Sequence, residues 1–162
     1  MVNACTATSV ERYADQQPAM DLKEFFNGDI KGWGLVHDRK GRVTRRFDFK
    51  IVGTWDGNNG VLDEEFLYYD GETQTRQWRL EYLGDGQYKG LADDIVGEAS
   101  LSESGNALNL KYKLIVPLDD SEIALKFDDW IWQMNDGVAI NRAVMRKFGI
   151  RVGELTVVMQ KQ

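Results

Sequence analysis

The sequence predicts an all-β chain closed into an antiparallel up-and-down barrel of about ten strands, with a short helix near its N-terminus. Three observations predict it. From Ile30 onward apolar and polar residues alternate with period two, the pattern of strands with one buried face. Gly, Asn and Asp clusters interrupt that pattern at regular intervals, and the chain holds 16 glycines but only two prolines. No stretch long enough for a crossover helix separates the strands, which excludes a parallel sheet. Closure follows from the need to hide the edges of so many sequential hairpins.

Residues 1–20 show no sustained period and read as a flexible leader, leaving 21–162 as a single barrel domain. A chain starting at Ala19 is therefore expected to fold by itself. Asp21-Leu-Lys-Glu24 is a capping box, Phe25 and Phe26 follow, and Asn27-Gly28 stops the helix. This helix is expected to plug one end of the barrel or pack beneath it. Gly32-Trp-Gly34 leads into a first strand that turns at Asp38–Gly41. Val43, Arg45, Phe47, Phe49, Ile51, Gly53 and Trp55 mark one face of a long second strand.

Asp56–Gly60 reads as a loop. Leu62, Glu64, Phe66 and Tyr68 share a face of the next strand, and Gln74, Arg76, Trp78, Leu80 and Tyr82 share the matching face of its partner. Tyr88–Ala92 and Ile95–Leu101 are short strands, where Gly90, Gly97 and Ala99 leave little side chain. Leu108, Leu110, Tyr112, Leu114 and Val116 alternate after the Ser104–Asn106 turn. The hairpin Phe127–Arg142 follows, then a bend at Phe148–Gly153 and a last strand with Leu155, Val157 and Met159.

Composition narrows the function. A formal charge of −6 argues against a nucleic-acid partner. No apolar run is long enough to span a bilayer. The single Cys5 permits no internal disulfide, and with one histidine, His37, a metal site would rest on carboxylates alone. No phosphate loop, nucleophile elbow or calcium loop is present. No cofactor is expected. Val2-Asn3-Ala4-Cys5 is like the tail of a lipobox, the motif whose cysteine receives lipid; an incidental surface cysteine is the competing reading.

The candidate binding residues are charges inside strands, where a side chain must be paired or useful. In the Tyr69-Asp70-Gly71 turn a left-handed Gly71 sets the register. Glu64 then faces Arg76, and Leu62 faces Trp78. The pair either holds a polar head group or neutralises itself as a structural ion pair. The same count at Asn135-Asp136-Gly137 pairs Trp130 with Arg142, a cation–π arrangement with Asp128 one step on. A two-residue turn would set Asp129 against Arg142 instead. Asn141 lies beside Arg142, and the group is either a latch for closure or an anchor for an anionic ligand.

The runs Arg45-Arg-Phe47, Gly53-Thr-Trp55, Leu62-Asp-Glu-Glu-Phe66, Asp70-Gly-Glu72, Arg76-Gln-Trp78, Gly105-Asn-Ala107, Phe127-Asp-Asp-Trp130, Asn141-Arg142 and Lys147-Phe-Gly149 together resemble a bacterial lipoprotein family known only as domain of unknown function 3833. The resemblance covers about Leu22 to the end. It implies a lipid anchor on Cys5 and residence in the bacterial envelope, on the periplasmic face and at the outer membrane. Its genes often lie near lipid-modifying enzymes such as cyclopropane-fatty-acid synthase, which suggests a lipid role.

The leading expectation is therefore a calycin or lipocalin-like barrel that binds a lipid, fatty acid or other apolar ligand through Glu64, Arg76, Trp78, Asp128, Asp129, Trp130, Asn141 and Arg142. An enzyme using Glu64, Asp128 or Asp129 as acid or base is the alternative. A filled barrel serving as a scaffold is the third. A large cavity favours the first two, and a packed interior the third.

Overall fold

The computed structural model describes residues 8–162. Ten strands follow one another: β1 (Gly28–Asp38), β2 (Val43–Asp56), β3 (Asn59–Tyr68), β4 (Thr73–Gly84), β5 (Gln87–Leu91), β6 (Ala99–Ser104), β7 (Ala107–Pro117), β8 (Glu122–Gln133), β9 (Val138–Lys147) and β10 (Ile150–Lys161). Each pairs antiparallel with the next, and β10 pairs back onto β1 to close the barrel. The closing ladder runs through nine residue pairs, from Ile30↔Lys161 to Asp38↔Gly153. The expected architecture is the one observed.

The tight turns pass through left-handed residues. Asp136 and Gly137, and likewise Phe148 and Gly149, hold consecutive positive φ angles, as tight hairpins between right-twisted strands require. Three local expectations are corrected. The Asp56–Gly60 loop shrinks to Gly57-Asn58, because Asn59 already pairs with Asp56. The predicted Ile95–Leu101 strand starts only at Ala99; before it, Ile95 makes one bridge to Leu114. The Phe148–Gly153 bend is a two-residue turn followed by a bulge between Arg151 and Gly153. That bulge absorbs one residue, and Leu155, Val157 and Met159 then face inward.

One end of the barrel is plugged by α1 (Leu22–Phe25). The Asp21 carboxylate accepts the Glu24 N–H at 2.8 Å, which caps the helix. Leu22, Phe25 and Phe26 are buried, and the Trp55 indole donates to the Phe26 carbonyl at 3.2 Å. Gly53 lies where a Cβ would come within 1.7 Å of that carbonyl, so glycine is required for the plug to seat. At the other end an aromatic cluster of Phe47, Phe49, Phe66 and Tyr68 fills the lumen beneath the rim.

The room expected around small residues is taken up. At Gly90 a Cβ would lie 3.1 Å from Leu80 and 3.3 Å from Trp78. Gly97 sits in the β5–β6 connection with a positive φ and no neighbour within 4 Å of a built Cβ. Gly32 and Gly34 of β1 are covered by the rings of Phe49 and Phe47, at 2.3 and 2.1 Å from a built Cβ. Glycines on one strand thus accept phenylalanine rings from the next, and most of the interior is packed.

The described part of the expected leader, residues 8–20, packs against the barrel. Ser9 caps a 3-10 turn at Val10–Tyr13, and Val10 is buried. The Tyr13 ring lies 5.7 Å from Trp130 and 6.3 Å from Trp132, and the Met20 N–H donates to the Gly105 carbonyl at 2.8 Å. Cys5 lies outside the described residues. Burying a valine and part of a tyrosine is worth roughly 2–4 kcal/mol by apolar area. A chain starting at Ala19 is accordingly expected to lose about that much stability in chemical denaturation, against the independent folding that the sequence suggests. An unchanged midpoint would show that these contacts contribute nothing.

Candidate functional site

Midway along the barrel the interior holds a group of charges amid apolar walls. The Tyr69–Gly71 turn gives the predicted register, with Glu64 opposite Arg76 and Leu62 opposite Trp78. All four side chains face inward, since β3 and β4 alternate and Phe66 and Leu80 share that side. Across the lumen, β8 contributes Asp129, β9 Asn141 and β7 Tyr112. These residues surround a cavity of about 120 Å³ whose remaining lining is apolar, including Phe47, Phe66, Leu110 and Val157.

The polar groups are coupled through short contacts. Arg76 bridges Glu64 at 3.7 Å and Asp94 of the β5–β6 connection at 2.8 Å. Its Nε also donates to both Asp94 oxygens, at 3.1 and 2.9 Å. The Tyr112 hydroxyl donates to Asp129 at 3.2 Å. The Asn141 amide donates to the other Asp129 oxygen and to the Trp130 carbonyl at 2.9 Å. The Tyr112 ring is itself held, stacked on Phe127 at 5.0 Å and edge-on to Trp78 at 5.4 Å.

Burial dominates the electrostatics. It pushes Glu64 up to about 7 against the pull of the Arg76 guanidinium, with the Asp129 charge adding to the rise. It pushes Asp129 up to about 7 as well, opposed by the hydrogen bonds from Asn141 and Tyr112. The Tyr112 phenol is raised well above its usual range by burial and then by Asp129. Two carboxyls near neutrality can both donate and accept hydrogen bonds at the cavity wall. Arg76 is already neutralised by Asp94, so the cavity itself carries no free positive charge.

A second space lies outside this one. A groove beside the β5–β6 connection is lined by Gln74, Asp93, Asp94, Ile115 and Pro117. Glu64 and Arg76 line both spaces. The Arg76–Asp94 pair is thus part of the wall between groove and cavity. Among the described residues no group of three or more His, Cys, Asp or Glu comes together to hold a metal ion.

The candidate residues therefore divide. Glu64, Arg76, Trp78, Asp129 and Asn141 converge on the cavity. Asp128, Trp130 and Arg142 do not, because they occupy the alternate, outer face of β8 and β9. Of the two registers open at this turn, the three-residue one is found, with Trp130 opposite Arg142. Yet Arg142 turns away from the indole. It is 57% exposed and bonds Glu154 at 2.6 Å. Trp130 stacks instead on Trp132 and meets the tilted ring of Tyr13. Asp128 accepts from Asn109 at 2.9 Å. The expected link of Arg142 to Asp128 or Asp129 is replaced by Glu154. Sequence reasoning left Tyr112 and Asp94 out of the site. Tyr112 stands at an inward position of an alternating strand and was open to inclusion; Asp94 sits in an aperiodic connection and had no such signal.

The pH dependence of stability follows from Glu64 and Asp129. In the unfolded chain both ionise near pH 4. In the barrel they keep their protons up to about pH 7. The folded state then binds more protons between these limits, so stability falls as pH rises from about 4 to 7 and stays low above it. Asp129→Asn keeps an acceptor for Asn141 and removes the charge. It should raise stability at pH 8 by on the order of 2 kcal/mol and change little at pH 4. Thermal melts of both proteins at the two pH values check this. A melting point lowered equally at both would contradict it.

No curated protein matches the chain. One family model does, that of the protein of unknown function (DUF3833), and it matches residues 1–161. That span takes in all ten strands and every residue around the cavity, so the chain belongs to the DUF3833 family.

Proposed function

We propose that this protein is a lipoprotein of the bacterial envelope, anchored through Cys5, whose barrel binds a small amphiphilic ligand. The observation that carries the binding reading is a buried polar group, Glu64, Arg76, Tyr112, Asp129 and Asn141, facing a cavity that is otherwise apolar. A filled scaffold has no use for two carboxyls held in a dry interior at a cost in stability. The cavity's 120 Å³ is close to the roughly 150 Å³ that accommodates benzene, and below the ~300 Å³ at which drug-sized pockets begin. It suits the end of an acyl chain or a short alkyl acid or alcohol. With Arg76 neutralised and both carboxyls able to carry protons, a hydroxyl or a protonated carboxyl fits better than a phosphate. A longer chain must pass the Arg76–Asp94 wall toward the outer groove.

A second reading rests on the same two carboxyls. Groups held near neutrality in a cleft are suited to general acid–base chemistry, with Glu64 and Asp129 as the pair. Turnover rather than retention of a bound small molecule would distinguish it.

Titration with hexanol and hexanoic acid, followed through the Trp78 indole resonance by NMR, tests the binding reading. Tyr112→Phe and Asp129→Asn should each weaken binding roughly 5–10-fold, the worth of one hydrogen bond to the ligand or its mount. Arg142→Met, on the outer face, should leave affinity unchanged. Native mass spectrometry of protein from its own host should show a retained small amphiphile. Absence of any perturbation at Trp78 by either compound would reject the cavity as a binding site.

A further inference from the structure

The outer surface of the barrel carries a row of cations that the fold does not need. Lys113 lies directly opposite Lys126, Lys126 opposite Arg146, and Arg146 opposite Arg151. Four positive charges thus stand side by side across β7, β8, β9 and β10. Like charges directly opposite in a sheet are destabilising. Among the described residues only Arg151 of the four has an ion-pair partner, Glu154 at 2.8 Å. Asp128 lies one rung away and faces Lys111. This concentration occurs on a chain whose formal charge is −6.

The row ends at the β9–β10 turn, on the rim opposite the plug. Phe148 at that turn is 91% exposed, and Ile150 is 67% exposed. Phe148 has a φ of +49°, a conformation that a bulky side chain adopts at a cost. The turn directs its ring to solvent, with the Lys147 ammonium 4.7 Å from its centroid. The Arg151 guanidinium also donates to the carbonyl of Arg39, which brings the β1–β2 turn, with Arg39 and Lys40, beside the same rim. The acidic limits of the patch are the β7–β8 turn, with Asp119, Asp120 and the adjoining Glu122, and the β5–β6 connection beside β7, with Asp93 and Asp94.

We propose that this rim docks on an anionic lipid bilayer: Lys113, Lys126, Arg146 and Arg151 meet the head groups while Phe148 and Ile150 enter the interface. Charge complementarity selects an anionic partner, and the exposed apolar tip selects a bilayer over a soluble polyanion. The surface is separate from the cavity residues. The inference stands without the ligand reading or the anchor.

Vesicle sedimentation of the full 162-residue chain with Cys5 unacylated tests the proposal. Binding is expected to vesicles containing phosphatidylglycerol, with little to pure phosphatidylcholine, and is expected to weaken with added salt. Lys126→Gln and Arg146→Gln should each lower partitioning roughly fivefold. Phe148→Ala should lower it about tenfold. All three positions are on the surface, and circular dichroism verifies that each variant folds. Equal binding to both vesicles, or none to either, overturns the proposal. So does a Phe148→Ala variant that binds as wild type while the charge variants lose binding, which assigns the patch to a soluble polyanion.

Discussion

Pairing of the first strand with the last is the constraint on which the rest of the structure depends. The β1–β10 ladder removes both sheet edges at once. With no edge, every strand has one face toward the lumen and one toward solvent. A charge at an inward position midway along a strand is then shielded from water. The same parity makes Glu64, Arg76 and Asp129 a buried group and leaves Arg142, one residue from the inward Asn141, on the surface. Glycines on β1 and phenylalanines on β2 fit the closed curvature together, because Gly32 and Gly34 admit the rings of Phe49 and Phe47.

The interior that results is neither empty nor inert. Aromatic rings close the lumen under the rim and α1 closes it below. A small cavity remains where the polar side chains meet, and these carry most of the electrostatic strain of the fold. Arg76 joins two environments through Glu64 inside and Asp94 outside. An ion pair in that position holds the β5–β6 connection against the barrel at the stretch where β5 and β6 are shortest. The cavity and the outer groove are therefore joined through one guanidinium.

Much of the fold is legible in the sequence because turns and period two are local signals. A left-handed Gly71 fixes the β3–β4 register, and counting back from it along both strands sets Glu64 against Arg76. The β8–β9 register is not legible in this way, since Asn135-Asp136-Gly137 allows a two-residue or a three-residue turn and the structure takes the second. Nor is the face of β8 that turns inward. Phe127, Asp129 and Ile131 alternate with Asp128, Trp130 and Trp132, so both faces carry apolar bulk. The choice is made by Tyr13, which covers the outer tryptophans from a segment with no period of its own. Sequence reasoning assigns Arg142 and Trp130 to the wrong side of the wall on that account. Cavity size is equally hidden, since it depends on how rings lie over glycines and not on how many small residues a strand holds.

Lys161 has a consequence for the order of assembly. Its ammonium, at the end of β10, donates to the carbonyls of Glu24, Phe25 and Asn27, the last two at 3.2 and 2.7 Å. The exposed carbonyls at the end of α1 are thus satisfied by a lysine at the end of the tenth strand. Contacts of such sequence separation raise the contact order and slow folding. Until β10 pairs, the other nine strands present an open edge, and α1 is fastened to the wall only when that last pairing forms. The interval before closure is when the barrel is most exposed to edge-to-edge aggregation.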